Sequence, residues 1–323
     1  MKSLKISLNI LISLALLTAL SCNKDKDYDK EMYQNYIYLL SASGTANVYT
    51  EAYHLKDGES TKYLSIGIGG SNPNPDAITV TLEEDTVLLP KYNKNNFDID
   101  SASFAKILRP EFYDALPTTV TIPANPETPY VQVPVTVRPE LPSGERLSPD
   151  TIYMIPVAIK SLSGGYQANP DKFNVLYRVT IDNDYAEQQN VTYYTKSGTI
   201  NGTTGMSGTK IVRPLTANTV RMYVGNETEA ASRPDPATVN KYSIIVRVNP
   251  DQSITVLPYG TVDIDMLPEV GYNKYAEEVQ ESGLIRKRFY LSYRYRLQNT
   301  AGTETSDPTW GAWYTVRETL TRN

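Results

Sequence analysis

Period-two alternation of apolar and polar residues, in short segments cut by proline and glycine, constrains this chain more than any other feature. Phe289, Leu291, Tyr293 and Tyr295 alternate with Tyr290, Ser292, Arg294 and Arg296. Ile78, Val80 and Leu82 alternate with Thr79, Thr81 and Glu83, and Val131, Val133, Val135 and Val137 with Gln132, Pro134, Thr136 and Arg138. Successive side chains of a strand point to opposite faces, so each segment reads as a strand with one buried and one wet face. The segment from Ile78 to Glu83 reads as a half-buried antiparallel strand. Phe173, Val175, Tyr177, Val179 and Ile181 repeat the pattern, and residues 152–159 form a more continuous apolar run. Ile37 and Leu39 alternate with Tyr36, Tyr38 and Leu40, a strand able to bury both faces. Pro134 has no backbone donor, which predicts an edge strand or a bulge.

The strand pattern runs in two blocks. About seven strands between residues 35 and 184 predict an immunoglobulin-like β-sandwich. The segment IDNDYAEQQN then breaks the periodicity, and Asp182, Asn183 and Asp184 read as a turn, since the loop spacing of a calcium site is absent. From residue 190 to 323, short strands recur at 191–195, 210–215, 220–224, 242–248, 253–257, 288–297 and 314–319. Asn249, Pro250, Asp251 and Gln252 supply a hairpin turn. This block suits a small antiparallel β-barrel, which closes its own edges. Two short helices are predicted, at residues 101–108 and 274–282. The chain is therefore predicted to be all-β.

The start of the chain reads differently. Lys2 and Lys5 precede a mostly apolar run from residue 6 to 20, which ends at Cys22, the single cysteine of the chain. The run is short for a membrane span and suits a secretory signal over residues 1–21. One cysteine at the end of a signal forms no internal disulfide. Residues 22–34 carry Asp25, Asp27, Asp29 and Glu31 among lysines, a solvated flexible tether. Ser21-Cys22 resembles a bacterial lipobox, although Ala19 stands where leucine is commonest, and this implies that Cys22 is lipidated. The acidic tether resembles the export signal of surface lipoproteins of Bacteroidetes.

Composition excludes several functions. Once the leader with Lys2 and Lys5 is removed, 29 basic residues face 36 acidic ones, a balance of −7. Nucleic-acid binding needs clustered positive charge, so no nucleic-acid partner is expected. His54 is the one histidine, which removes histidine-based metal sites and Ser-His or Cys-His catalysis; it reads as a surface or half-buried side chain. Asp98 and Asp100 flank Ile99 in a polar stretch, with nothing to separate their acidities as acid–base catalysis requires. No catalytic residue, metal or cofactor is expected, and the chain is read as a non-enzyme.

The pattern then becomes familiar. Tyr113, Leu116 and Pro117, the run Val120-Thr121-Ile122-Pro123-Ala124, and Tyr153-Met154-Ile155-Pro156-Val157-Ala158-Ile159 resemble a β-sandwich module. That module is found at the start of surface lipoproteins of Bacteroidetes polysaccharide-utilisation loci, and before a chitinase-like endoglycosidase. Asn125 stands where the module usually has glycine. Arg213-Pro214-Leu215-Thr216, residues 218–225 and residues 289–295 resemble the lipocalin-like domain that accompanies it. The resemblance implies an outer-membrane lipoprotein, facing the cell exterior, that takes part in glycan capture beside an importer or a surface glycosidase. It implies no catalytic residue.

Sugar recognition combines flat aromatic faces with a few polar groups for hydroxyls. Both tryptophans of the chain, Trp310 and Trp313, fall within four positions and run into Tyr314. Arg294 and Arg296 lie on the wet face of a neighbouring strand. Trp310, Trp313, Tyr314 and Arg294 are therefore the candidate glycan-binding residues. The alternative role for the tryptophans is packing, in the barrel or against the other domain. The leading expectation is a non-catalytic, glycan-binding surface lipoprotein. The alternative is a structural or protein-interaction accessory of a glycan-degrading or import complex, without a sugar site of its own. A hydrolase using acidic residues is a distant third.

Overall fold

The computed structural model describes residues 35–323 except 42–46, 71, 73, 233 and 302–306; the leader, Cys22 and the tether lie outside the described residues. The chain is all-β, as its periodicity predicts.

The first ten strands are β1 (Tyr36–Leu39), β2 (Val48–His54), β3 (Ser60–Ile68), β4 (Ile78–Glu84), β5 (Lys106–Ile107), β6 (Thr119–Ile122), β7 (Tyr130–Val137), β8 (Tyr153–Leu162), β9 (Gln167–Ala168) and β10 (Asn174–Asp182). They form two sheets, β7-β3-β1-β9 and β2-β10-β8-β4-β6, with β5 paired to β8. Alternation decides which side chains meet between them. Ile37, Leu64, Ile66, Val133 and Val135 from one sheet share a core with Ile78, Val80, Val157, Val175 and Val179 from the other. The buried Tyr53 hydroxyl donates to the Val135 carbonyl at 2.9 Å and accepts from Tyr177 at 2.9 Å, so neither phenol is left unpaired. Strand β7 is an edge strand, which explains how it holds Pro134.

The helix predicted at residues 101–108 is not there. That segment is a 3-10 turn, Ser101–Ser103, followed by β5. The α-helix of this half is α1, Leu88–Phe97, whose Leu88 and Leu89 pack on Met154 and Leu176 of the outer face of the second sheet. Asp98 and Asp100 follow it in a turn, with Asp98 at φ 51, and share no strand face.

The remaining strands are β11 (Thr192–Ile200), β12 (Thr204–Met206), β13 (Thr209–Thr216), β14 (Thr219–Tyr223), β15 (Ser243–Val248), β16 (Ile254–Pro258), β17 (Asp263–Met266), β18 (Lys274–Val279), β19 (Ile285–Arg296), β20 (Gln298–Thr300), β21 (Thr309–Trp310) and β22 (Tyr314–Arg322). Eight of them follow one antiparallel path, β16-β15-β14-β13-β11-β22-β19-β17, with β18 continuing along β19. The barrel comes near to closing where Ser253 bridges Lys274 and the Ile254 amide donates to the Asn273 carbonyl at 2.8 Å. The predicted hairpin at Asn249–Gln252 joins β15 to β16. The second predicted helix, residues 274–282, is strand β18, because Tyr275 is drawn into the barrel core while its neighbours pair with β19. A short helix α2, Pro236–Tyr242, precedes β15 and takes Tyr242 from the predicted strand; the Asp235 carboxylate accepts from the Thr238 amide at 2.8 Å. Tyr194, Phe289, Leu291, Tyr293, Val316 and Leu320 are among the side chains that fill the barrel, so its interior is a packed core.

Asp182 ends β10 opposite His54, and Asn183 and Asp184 lie in the bend that follows, between the two cores. Asn183 is buried; its oxygen accepts from the Tyr185 and Ala186 amides, and its nitrogen donates to the carbonyls of Thr216 and Thr219 at 2.7 and 3.0 Å. Asp182 and Asp184 face the half-buried His54 at 2.6 and 3.4 Å. Gln188 donates back to the Pro149 and Thr151 carbonyls, and Asp150 pairs with the fully buried Arg221, which also pairs with Glu229 at 2.8 Å. Sandwich and barrel are thus tied by buried polar contacts.

Candidate functional site

Because the barrel interior is full, a site on this half must use the outward letters of its strands. Those of β19 near its end are Ser292, Arg294 and Arg296. Strand β17 lies alongside in a register that sets Asp263 opposite Arg296 and Asp265 opposite Arg294. Arg294 donates to Asp265 from Nε at 2.8 Å and Nη2 at 2.6 Å, and Arg296 Nε donates to Asp263 at 2.7 Å. Opposite charges facing across neighbouring strands are a favourable pair. Ser292 continues the strip by donating to Glu269 at 2.8 Å, and Arg317 meets the same carboxylate at 2.7 Å.

The tryptophans reach this strip by a small hairpin. Strand β20 pairs with β21 so that Gln298 faces Trp310, and the Gly311 amide donates to the Leu297 carbonyl at 2.9 Å. The chain then turns into β22, with Trp313 lying over β19. The Arg294 guanidinium lies 4.4 Å from the centroid of the Trp313 ring. Arg296 lies 4.6 Å from that ring and 4.9 Å from Trp310. A guanidinium over an indole is held by the ring quadrupole, an attraction that strengthens as water is excluded. The result is a strip of carboxylate, guanidinium and indole in which both tryptophans remain partly exposed.

Three of the four predicted residues therefore come together: Arg294 with Trp313 directly, and Trp310 through Arg296. Tyr314 does not join them. It pairs with Tyr295 across β22 and β19, and the two rings stack at 5.3 Å and 26°. Burial pushes the Tyr295 phenol up to about 12. Asp263 and Asp265 are the members of this strip that sequence reasoning missed. The available signal was the D-I-D of β17, whose period matches the R-Y-R of β19, but only the pairing of distant strands brings the two into register.

Chemically, the strip offers guanidinium donors, carboxylate acceptors and indole edges. The guanidiniums already occupy ring surface that would otherwise stack on a ligand. His54 does not stand among these groups; it faces Asp182 and Asp184. The large grooves lie elsewhere. One of about 850 Å³ beside the start of α1 is lined by Asn47, Glu83, Lys91, Asp171 and Phe173, and one of about 470 Å³ by His54, Asp184, Lys287 and Arg322. Neither includes a sequence-predicted site residue.

Two family models match the chain, one described as an N-terminal domain over residues 28–165 and one described as a C-terminal domain over residues 173–321. No curated protein matches it in sequence. Among solved structures, a Bacteroides ovatus protein of unknown function is similar at 19% identity and a TM-score of 0.65, covering 89% of this chain and 94% of its own. A multidomain protein including DUF1735, also from Bacteroides ovatus, matches at 18% identity and 0.60 with the same coverage. An auxiliary nutrient binding protein from Bacteroides thetaiotaomicron matches at 14% identity and 0.57, covering 90% of this chain and 95% of its own. At these identities the likeness is one of fold, and the chain shares the two-domain architecture of these Bacteroides proteins.

Proposed function

We propose that the protein is a non-catalytic, glycan-binding accessory on a bacterial cell surface, tied to the outer membrane by a lipid on Cys22. There it captures oligosaccharide or polysaccharide for an importer or a surface glycosidase. The observation that carries this reading is the partly exposed Trp310/Trp313–Arg294/Arg296 strip with Asp263 and Asp265 alongside, which combines aromatic surface with paired donors and acceptors for hydroxyls. The name of the Bacteroides thetaiotaomicron neighbour, an auxiliary nutrient binding protein, supports an accessory role.

The test is calorimetry and affinity electrophoresis of the purified protein against a broad polysaccharide panel. Saturable binding is expected, weakened roughly tenfold, or about 1.4 kcal/mol, by Trp313→Ala and by Arg294→Ala. Unchanged binding in both variants removes the strip from the site. Release of reducing sugar would overturn the non-catalytic reading. Loss of lipid labelling and of membrane fractionation is expected for Cys22→Ser.

One observation favours a second reading. The guanidiniums over the indoles also suit a stiff surface presented to a protein partner, in an accessory without a sugar site. Failure to bind any member of the panel would select it.

A further inference from the structure

The four-stranded sheet of the sandwich turns its inner letters to the core and leaves its other face to water. The outward letters of β1 are Tyr36 and Tyr38, since Ile37 and Leu39 are fully buried. Those of β3 include Tyr63, and those of β7 begin with Tyr130; each of these two residues is 44% exposed. Register assembles them. Tyr38 pairs with Gly67, and Gly67 pairs with Tyr130, so the two tyrosines flank a glycine in one row across three strands. Their backbones stand two strand spacings apart, about 9.6 Å, and the Tyr38 ring leans across β3 toward Tyr130.

Gly67 explains how Tyr38 lies. A Cβ added there would collide with the Tyr38 ring, so the missing side chain lets that ring rest across the backbone of β3. Hydroxyls and an amide fill the gaps between the aromatic groups. Ser65 pairs with Gln132 in the next row, and the Thr61 and Thr136 hydroxyls meet at 2.8 Å beyond Tyr63. None of the four phenol hydroxyls bonds to another described residue. No outward letter of β1, β3 or β7 on this face is charged, in a chain that is 21% charged.

We infer that this tyrosine face binds an uncharged polysaccharide. Pyranose rings offer C–H faces to stack on phenols and hydroxyls to meet the phenol, threonine, serine and glutamine groups between them. A neutral chain brings no charge that the face would have to desolvate without a partner, whereas an anionic one would. The charged tether at residues 22–34 is a poor occupant for the same reason. The inference rests on the glycan-binding reading but assigns the neutral ligand to the sandwich, apart from the charged strip on the barrel.

The experiment titrates the purified protein with galactomannan and xyloglucan as neutral probes and with polygalacturonate as an anionic one. Tyr63→Ala and Tyr130→Ala are expected to weaken binding of a neutral probe about tenfold each, while Ile99→Ala, an exposed side chain on neither surface, leaves it unchanged. Gly67→Ala is the second variant: it keeps every tyrosine, displaces the Tyr38 ring, and is expected to weaken the same binding severalfold with an unchanged melting temperature. Wild-type affinity in all three variants overturns the inference. So does loss of neutral binding in Trp313→Ala with the tyrosine variants intact, which returns the ligand to the strip. Binding of polygalacturonate alone overturns it and leaves the general reading standing, whereas no binding by the wild type overturns both. A change in sedimentation without a change in glycan binding would mark the face as a self-association surface, and also overturns it.

Discussion

Glu318 sits inside the barrel, where its carboxylate accepts from Lys210 Nζ at 2.6 Å and from the Tyr293 hydroxyl at 2.9 Å. The lysine and glutamate side chains are 1% and 0% exposed, so each depends on the other to offset the loss of water. Burial lowers the Lys210 pKa from its ordinary value, with Glu318 pushing the other way, and burial beside Glu318 holds Tyr293 well above its own. Gly198 makes room for this arrangement. It faces Glu318 across the strand pair at φ +152, where a side chain would strike the backbone of Arg317 and Glu318. Glu318→Ala leaves Lys210 buried and unpaired, and is expected to cost about 3–5 kcal/mol in a denaturant titration. The double variant Lys210→Met with Glu318→Leu removes both charges and is expected to recover most of that loss.

At the scale of the element, helix α1 shows where reading by local pattern stops. Its sequence, LLPKYNKNNF, holds Pro90 and three asparagines, which are poor helix formers. The helix exists because Asp85 accepts from the Val87 and Leu88 amides at 2.7 and 2.8 Å, and because Leu88 and Leu89 have Met154 and Leu176 to cover. Asp85 also accepts from Asn174 at 2.6 Å, which ties the helix start to β10. Asp85→Ala is expected to cost about 1 kcal/mol, with faster hydrogen exchange at the first turn of α1 and unchanged exchange in the barrel. Strand β18 errs in the opposite direction. Its Ala276, Glu277 and Glu278 favour helix, yet barrel pairing overrides them. Strands β7, β10 and β19 were legible because one buried face imposes period two on the sequence itself. Within the site, the tryptophans stood out by rarity. Asp263 and Asp265 did not, because their partners lie some thirty positions away and only sheet register joins them.

For the whole molecule, the buried phenols set the alkaline limit. Burial is the first cause of each shift: Tyr49, Tyr223 and Tyr295 are pushed up to about 12, and Tyr53, Tyr177, Tyr194, Tyr275 and Tyr293 go higher. With folded values above the ordinary 10.0, the native state keeps protons that the unfolded chain releases. Their contribution is therefore complete below pH 10 and is lost as pH rises through about 12. Lys210 acts with the other sign, since its lowered value makes stability rise with pH up to its ordinary 10.5, but the phenols outnumber it. Melting temperature is expected to fall above pH 10, with tyrosinate absorption rising in the same step as the loss of β-sheet circular dichroism. The tyrosine face and the arginine–tryptophan strip stand outside this economy, because they occupy the letters that the core does not read. On the proposed reading, stability and recognition are spelled on alternate positions of the same strands. The outer letters of β3, β7 or β19 are thus open to rewriting for a different ligand with the inner letters left as they are, so two chains of this architecture can share a core and a melting point yet select different ligands.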